Sequence, residues 1–278
     1  MKKTALLFTL FLFSYSVIGQ DKEKIKGSKI VTVEAVEIGD FDSIEVGDNI
    51  EVSLEKGEKT EIKMEADDNL HGIIAIDLSD KTLRLYTSKT VVKFKKLMLR
   101  VTYTQDLKLV ISKNEALVNA VQEIQLEDIT FKSFNNAKLN LNVNSKNFVL
   151  QSDDKSITEL NLKTESASIE LSKNASLKAL IASVDLKCDL YQKAKANLEG
   201  DVNNAIIRLD NNSDFIGSKL VLKNSELVAE GYSNCSINSN DAISIDASGN
   251  SEIQIYGVQK IEMKRFVDSA ILIKKSTK

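Results

Sequence analysis

The chain has 278 residues with 37 Lys+Arg against 40 Asp+Glu, a formal charge of −3, no proline, no tryptophan, two cysteines and one histidine. This mild acidity excludes a concentrated basic face of the kind that nucleic acid demands, and a single histidine excludes a histidine pair for zinc. The length suffices for one elongated domain with a substantial core.

The chain opens with Met1-Lys2-Lys3, an apolar run from Ala5 to Ile18, and Gly19-Gln20. A charged start, a short apolar stretch and a small residue predict a secretory signal over 1–19, cleaved between Gly19 and Gln20. Its loss removes Lys2 and Lys3 and moves the charge to −5. The remaining chain holds no stretch apolar enough to span a membrane as a helix, so an exported location is expected: periplasm, outer cell surface or extracellular.

After a leader over 20–37, apolar residues alternate at Ile44 and Val46, at Ile50, Val52 and Leu54, and at Ile62 and Met64. The turns Gly47-Asp48-Asn49 and Lys56-Gly57-Glu58 between them suggest hairpins. Asp67-Asp68-Asn69-Leu70 starts a longer connection that holds His71, expected to be structural. Ile74, Ile76, Leu83, Leu85, Leu97, Leu99, Val101 and Tyr103 mark further strands, so 38–104 is predicted to form a less regular N-terminal β cap. The lysines of Lys89 to Lys96 are expected to lie on a solvated edge strand, which charge protects against pairing with other chains.

From 105 to 257 the pattern becomes periodic. Small or polar residues recur about every 19 positions at Ala137, Ser156, Ala175, Ala194, Ser213, Cys235 and Ser251, with a degenerate copy at Glu115. Six residues before these anchors come Phe131, Leu150, Ile169, Cys188, Ile207, Ala229 and Ile245. Alternation signals strands, and alternation repeated at fixed phase signals a solenoid. One copy offers about five inward side chains at roughly 1.5–3 kcal/mol each, against about 1–2 kcal/mol per residue of lost backbone entropy. A single coil therefore cannot stand alone, and the copies must stack. Asn135-Asn136, Asp153-Asp154, Asn203-Asn204, Asp210 to Asn212 and Asn238 to Asp241 are predicted turns, with Gly217 to Lys223 an outward loop. The phase places Cys188 inside and Cys235 two coils away, so two free thiols are expected.

The order Phe41-Asp42-Ser43-Ile44-Glu45-Val46, Ile50-Glu51-Val52 with Gly57, Ala66-Asp67-Asp68-Asn69-Leu70, Lys81-Thr82-Leu83, Asp106-Leu107 and a series of small-residue turns resembles one exported bacterial family, the "putative auto-transporter adhesin, head GIN domain". The resemblance covers roughly 38–257 and leaves 258–278 as a C-terminal strand and tail. It implies an all-β fold, a right-handed single-stranded parallel β-helix, export to the cell envelope, and no catalytic residues. The turns depart from the family's usual Ser-Gly-Ala-Ser, which only Ser248-Gly249-Asn250-Ser251 approaches.

No catalytic, cofactor-binding or metal-binding residues are expected. Asp210-Asn211-Asn212-Ser213-Asp214 spaces oxygen ligands as calcium loops do, but position six is Phe215 and position twelve is Val221 rather than glutamate. Glu170 and Asp189, 19 residues apart, should stack on one outward face with Lys187 and Arg208 at equivalent ladder positions beside them. These four are candidate surface residues. The function expected is a non-enzymatic, rigid binding, adhesion or scaffolding module of the envelope or surface; the alternative is a carbohydrate-active β-helix enzyme, a lyase or hydrolase. Candidate partners are an envelope or host glycan, another envelope protein, or a second copy of the chain, with no nucleic acid.

Overall fold

The computed structural model describes residues 22–276; the expected signal, with its cleavage point at Gly19 and Gln20, lies outside them. In chain order come β1 (Lys24–Lys26), β2 (Val31–Glu37), β3 (Ser43–Val46), β4 (Glu51–Lys56) and β5 (Glu61–Asp67), then a 3-10 turn (Asp68–Ile73), β6 (Ile74–Ser79), β7 (Thr82–Thr87), β8 (Thr90–Val92), β9 (Leu97–Tyr103) and β10 (Leu109–Ser112). Long strands follow: β11 (Leu117–Ser133), β12 (Lys138–Ser152), β13 (Ile157–Leu171), β14 (Ser176–Leu190), β15 (Lys195–Leu209), β16 (Asp214–Ala229) and β17 (Asn234–Ala247). Three short ones close the series: β18 (Glu252–Tyr256), β19 (Lys260–Phe266) and β20 (Ile271–Lys274).

From β10 onward every pairing is parallel, each strand lying on the one a coil earlier, so the chain is a β-solenoid of about 9 turns. Leu117 stacks under Lys138, and above it follow Ile157, Ser176, Lys195, Asp214, Asn234, Glu252 and Ile271. Inward and outward residues alternate until one corner, at Lys146-Asn147 in β12 and Glu165-Ser166 in β13, where two exposed residues in succession bend the coil. Like then piles on like inside: Ile129, Phe148, Ala167, Leu186 and Ala205 form one buried column, and Phe131, Leu150, Ile169, Cys188 and Ile207 another. Cys188 and Cys235 are both buried and free, and burial pushes both thiols well up from their ordinary pKa.

Each coil closes through a turn that needs a left-handed residue, which explains its composition. Asp48, Asn114, Asn135, Asp154, Lys173, Gln192, Asn211, Gly231, Gly249 and Asp268 all have positive φ at corresponding places. Asn, Asp and Gly accept that conformation at least cost. The turns also bond from coil to coil, as in Asn136 N–H to Asn114 O and Lys155 N–H to Asn135 O, both 2.8 Å.

Four expectations need correction. The buried anchors are Ala116 and Ser233, not Glu115 and Cys235, because β11 takes up extra residues between Ala120 and Ile124 and β16 takes up others after Gly217. Gly217 to Lys223 is accordingly no outward loop; it lies within β16, and its additional residues form bulges that keep the ladder paired on both sides. Asn203-Asn204 and Asn238 to Asp241 are not turns but corners inside β15 and β17. Finally, neither expected turn closes a hairpin: β3 lies between β7 and β10 and β4 between β9 and β11, all parallel, so together they form the first coil, and β9 separates β4 from β5.

The cap is built below that coil. There the ladder turns antiparallel, β9 to β5 to β2 on one side and β7 to β6 on the other. The β6–β7 connection, Asp80-Lys81, has positive φ at both residues, the signature of a tight type I′ hairpin. Asp67 ties these pieces together: fully buried, its carboxylate accepts N–H groups from Lys29 (2.9 Å), Lys95 (3.1 Å) and Lys96 (3.0 Å). Burial alone would raise its pKa, but these donors outweigh that and hold it below the usual carboxylate value. A side chain at Gly27 would collide with the same carboxylate. His71 is buried beside this knot, its Nε2 2.9 Å from Thr32 Oγ1. The lysine-rich stretch is a strand only over Thr90–Val92, paired with β1; Lys95 and Lys96 give their backbone N–H groups to Asp67.

Candidate binding surface on the side of the solenoid

A concave surface runs across the coils from β13 to β19 and encloses about 670 Å³, within the ~300–1,000 Å³ typical of ligand sites. It lies just past the corner, where the bend between two straight runs leaves a channel. Its wall is a ladder of short polar side chains: Asn204 Nδ2 donates to Asp185 Oδ1 (3.0 Å) and Asn224 Nδ2 to Asn204 Oδ1 (3.3 Å). Ser166 continues this row below and Ala242 and Lys260 above. Its floor carries Ser168, Lys187, Ile206, Glu226, Ser244 and Glu262, successive outward residues of six strands. Ile206 is 50% exposed there, an apolar contact ringed by polar groups.

The four residues singled out from the sequence border this channel. Glu170, Asp189 and Arg208 stand in register on adjacent strands. Lys187 is not at an equivalent ladder position but two residues earlier, in line with Ser168 and Ile206, because outward positions repeat every second residue. The structure nevertheless brings it to Asp189, Nζ to Oδ2 3.0 Å, and that hydrogen bond holds the Lys187 ammonium above its ordinary pKa. Tyr191 stands close by, its hydroxyl raised by burial and then by the Asp189 charge. Arg208 reaches Glu230 (3.8 Å), which also holds Arg265 (2.8 Å), itself bound to Asp246 at 2.5 Å. The rim thus pairs Asp189 with Lys187 and Arg208 with Glu230, while Glu170 makes no ion pair among the described residues.

Asp185, Asn204, Ile206 and Asn224 escape sequence reasoning. An outward isoleucine in a strand is a legible signal, but the corner that makes its surroundings concave reads as a turn in the sequence. In the segment with calcium-like spacing, Ser213 is buried, and Asp214 is engaged by Lys195 (3.1 Å) and Asn234 (2.9 Å). Among the described residues no group of three or more His, Cys, Asp or Glu is placed to hold a metal ion.

Parallel coils of about 19 residues, closed at one end by antiparallel strands, define a β-solenoid. The chain belongs to the family described as "Putative auto-transporter adhesin, head GIN domain", whose model matches residues 40–258. Solved structures share the fold at low identity. A "putative adhesin" from Parabacteroides distasonis is 15% identical with a TM-score of 0.65, over 91% of this chain and 100% of its own. A "putative adhesin" from Parabacteroides merdae is 20% identical with a TM-score of 0.59, over 92% and 98%. A "putative lipid binding protein" from P. distasonis is 13% identical with a TM-score of 0.61, again over 92% and 98%. No curated protein matches the chain.

Proposed function

We propose that this protein is an exported, non-enzymatic binding module of the cell envelope or surface, and that the channel across β13 to β19 holds an extended glycan. The carrying observation is the channel itself: six outward rows at the regular spacing of a β ladder, about 4.8 Å per coil, offering carboxamides along one wall and the exposed Ile206 on the floor. Amides and carboxylates that donate and accept hydrogen bonds, with an apolar contact at Ile206, suit a hydroxyl-rich chain whose faces alternate in polarity. The family's adhesin description agrees with a binding role. Of the four candidate residues, Asp189 is held by Lys187 and Arg208 by Glu230, so neither stands free for the acid–base work of a lyase or hydrolase.

A glycan array probed with the purified protein, then repeated with Ile206→Arg and Asn204→Leu, tests this. Binding that both substitutions abolish, with no chain shortening of the bound polysaccharide, is the expected result. Cleavage lost in Glu170→Gln or Asp189→Asn would establish the enzyme instead. Binding of lipid vesicles rather than glycans would replace the ligand class.

A further inference from the structure

We propose that the C-terminal end of the solenoid is a dimerisation surface on which β19 pairs antiparallel with β19 of a second copy about a two-fold axis at Met263. The two ends of the stack differ in kind. At the N-terminal end the last inward residues, Ile62, Leu70, Leu83 and Leu85, are fully buried beneath β2 and β6. At the other end the inward columns run out uncovered: Ile243 at 1% exposure is followed by Ile261 at 40%, Ile245 at 0% by Met263 at 43%, and Ala247 at 0% by Phe266 at 40%. Beside this row the far edge of β19 is unpaired, since among the described residues β19 pairs with β17 alone, an arrangement that invites another strand.

The two halves of this last coil are not equivalent. Over β18, Lys274 takes the inward place above Ile255, and its ammonium bonds to Gly257 O and to Gln259 Oε1. An inward charge of this kind blocks further strand addition. β19 has no such plug, so the open half is the β19 half.

The occupant follows from polarity and charge. A head-to-tail neighbour would present the N-terminal end, where the core is already closed, and would leave Ile261, Met263 and Phe266 without an apolar row to meet. A second copy's β19 supplies one. β19 carries one extra residue between Met263 and Arg265, so antiparallel pairing about Met263 places Ile261 opposite Phe266 and Glu262 opposite Arg265 on both sides of the axis, and the strand is complementary to itself. The Arg265 guanidinium, held by Asp246 and Glu230 of its own chain, then lies across from Glu262 of the second copy.

Cysteine crosslinking of the exported full-length chain tests this without any ligand. Residues directly opposed in an antiparallel pair have Cα atoms ~4.5–5.5 Å apart, inside the ~4.4–6.8 Å that a disulfide spans, and the native thiols are buried. Met263→Cys should oxidise to a covalent dimer, while Val33→Cys, 66% exposed on the opposite edge, should remain monomeric. Sedimentation should show a dimer for the unmodified chain and a monomer for Met263→Arg, which a 43% exposed site tolerates without unfolding. Three results would each overturn the proposal: a chain that is monomeric at every concentration, a dimer that survives Met263→Arg, or, when the two cysteine variants are mixed, a disulfide joining one to the other, which denotes head-to-tail stacking.

Discussion

The N-terminal and C-terminal ends of this solenoid solve the same problem in opposite ways. At the N-terminal end the ladder reverses into antiparallel β5–β2 and β6–β7, a buried carboxylate ties three segments together, and the core is sealed. At the C-terminal end the coil stops with its inward residues 40–43% exposed in β19. A repeat supplies its own middle, because each coil is covered by the next, but never its own ends. Closing one therefore takes sequence that breaks the repeat, and here that sequence lies in 22–104.

Substitutions should sort by which end they touch. The largest effect is expected for Leu99→Ala, fully buried in β9 between β4 and β5: a loss of ~2–5 kcal/mol, as for other large-to-small changes in cores, visible as a lower denaturant midpoint. Asp67→Ala comes next. It strips the acceptor from three part-buried N–H groups that water can partly satisfy, a loss of ~1–3 kcal/mol, and should loosen the cap while β12 to β16 stay protected from hydrogen exchange.

The pH dependence follows from the same carboxylates. Asp67, Asp48 and Asp153 all have folded pKa values held below their ordinary ones; in each, burial opposes the shift and is outweighed, by backbone N–H groups at Asp67, by Lys22 and Thr87 at Asp48, and by Ser172, Lys173 and the Asp154 N–H at Asp153. Their stabilisation is complete above the unfolded value of about 3.9 and is lost as pH falls through the folded values. Thermal midpoints should therefore drop below about pH 4, less steeply in Asp67→Asn. The smallest effect belongs to Met263→Ala in the open coil, expected to cost less than about 1 kcal/mol in the monomer because much of the side chain is already in water. A large loss there would mean that this end is covered.

What the sequence disclosed followed the same division. In β12 to β15 identical geometry imposes one constraint on every coil, so anchors, inward columns and the Glu170–Asp189 register were readable by counting. Counting failed where bulges changed the coil length, which displaced the anchor from Ser233 to Cys235; because inward positions recur every second residue, the false anchor still fell inside. The strands of the cap were visible as alternation, but not their partners: β3 and β4 are neighbours in sequence yet pair with strands far along the chain. The lateral channel left the weakest trace, since outward residues carry no periodic demand and concavity arises only when corners align.

Hydrogen exchange followed by mass spectrometry at two protein concentrations tests most directly the claim that one end is closed and the other open. The amides of β19 should exchange rapidly when dilute and gain protection when concentrated, while β5 and β9, each paired on both edges, exchange slowly and identically at both concentrations. Equal protection of β19 at every dilution, or a cap that opens before β19 does, would contradict it.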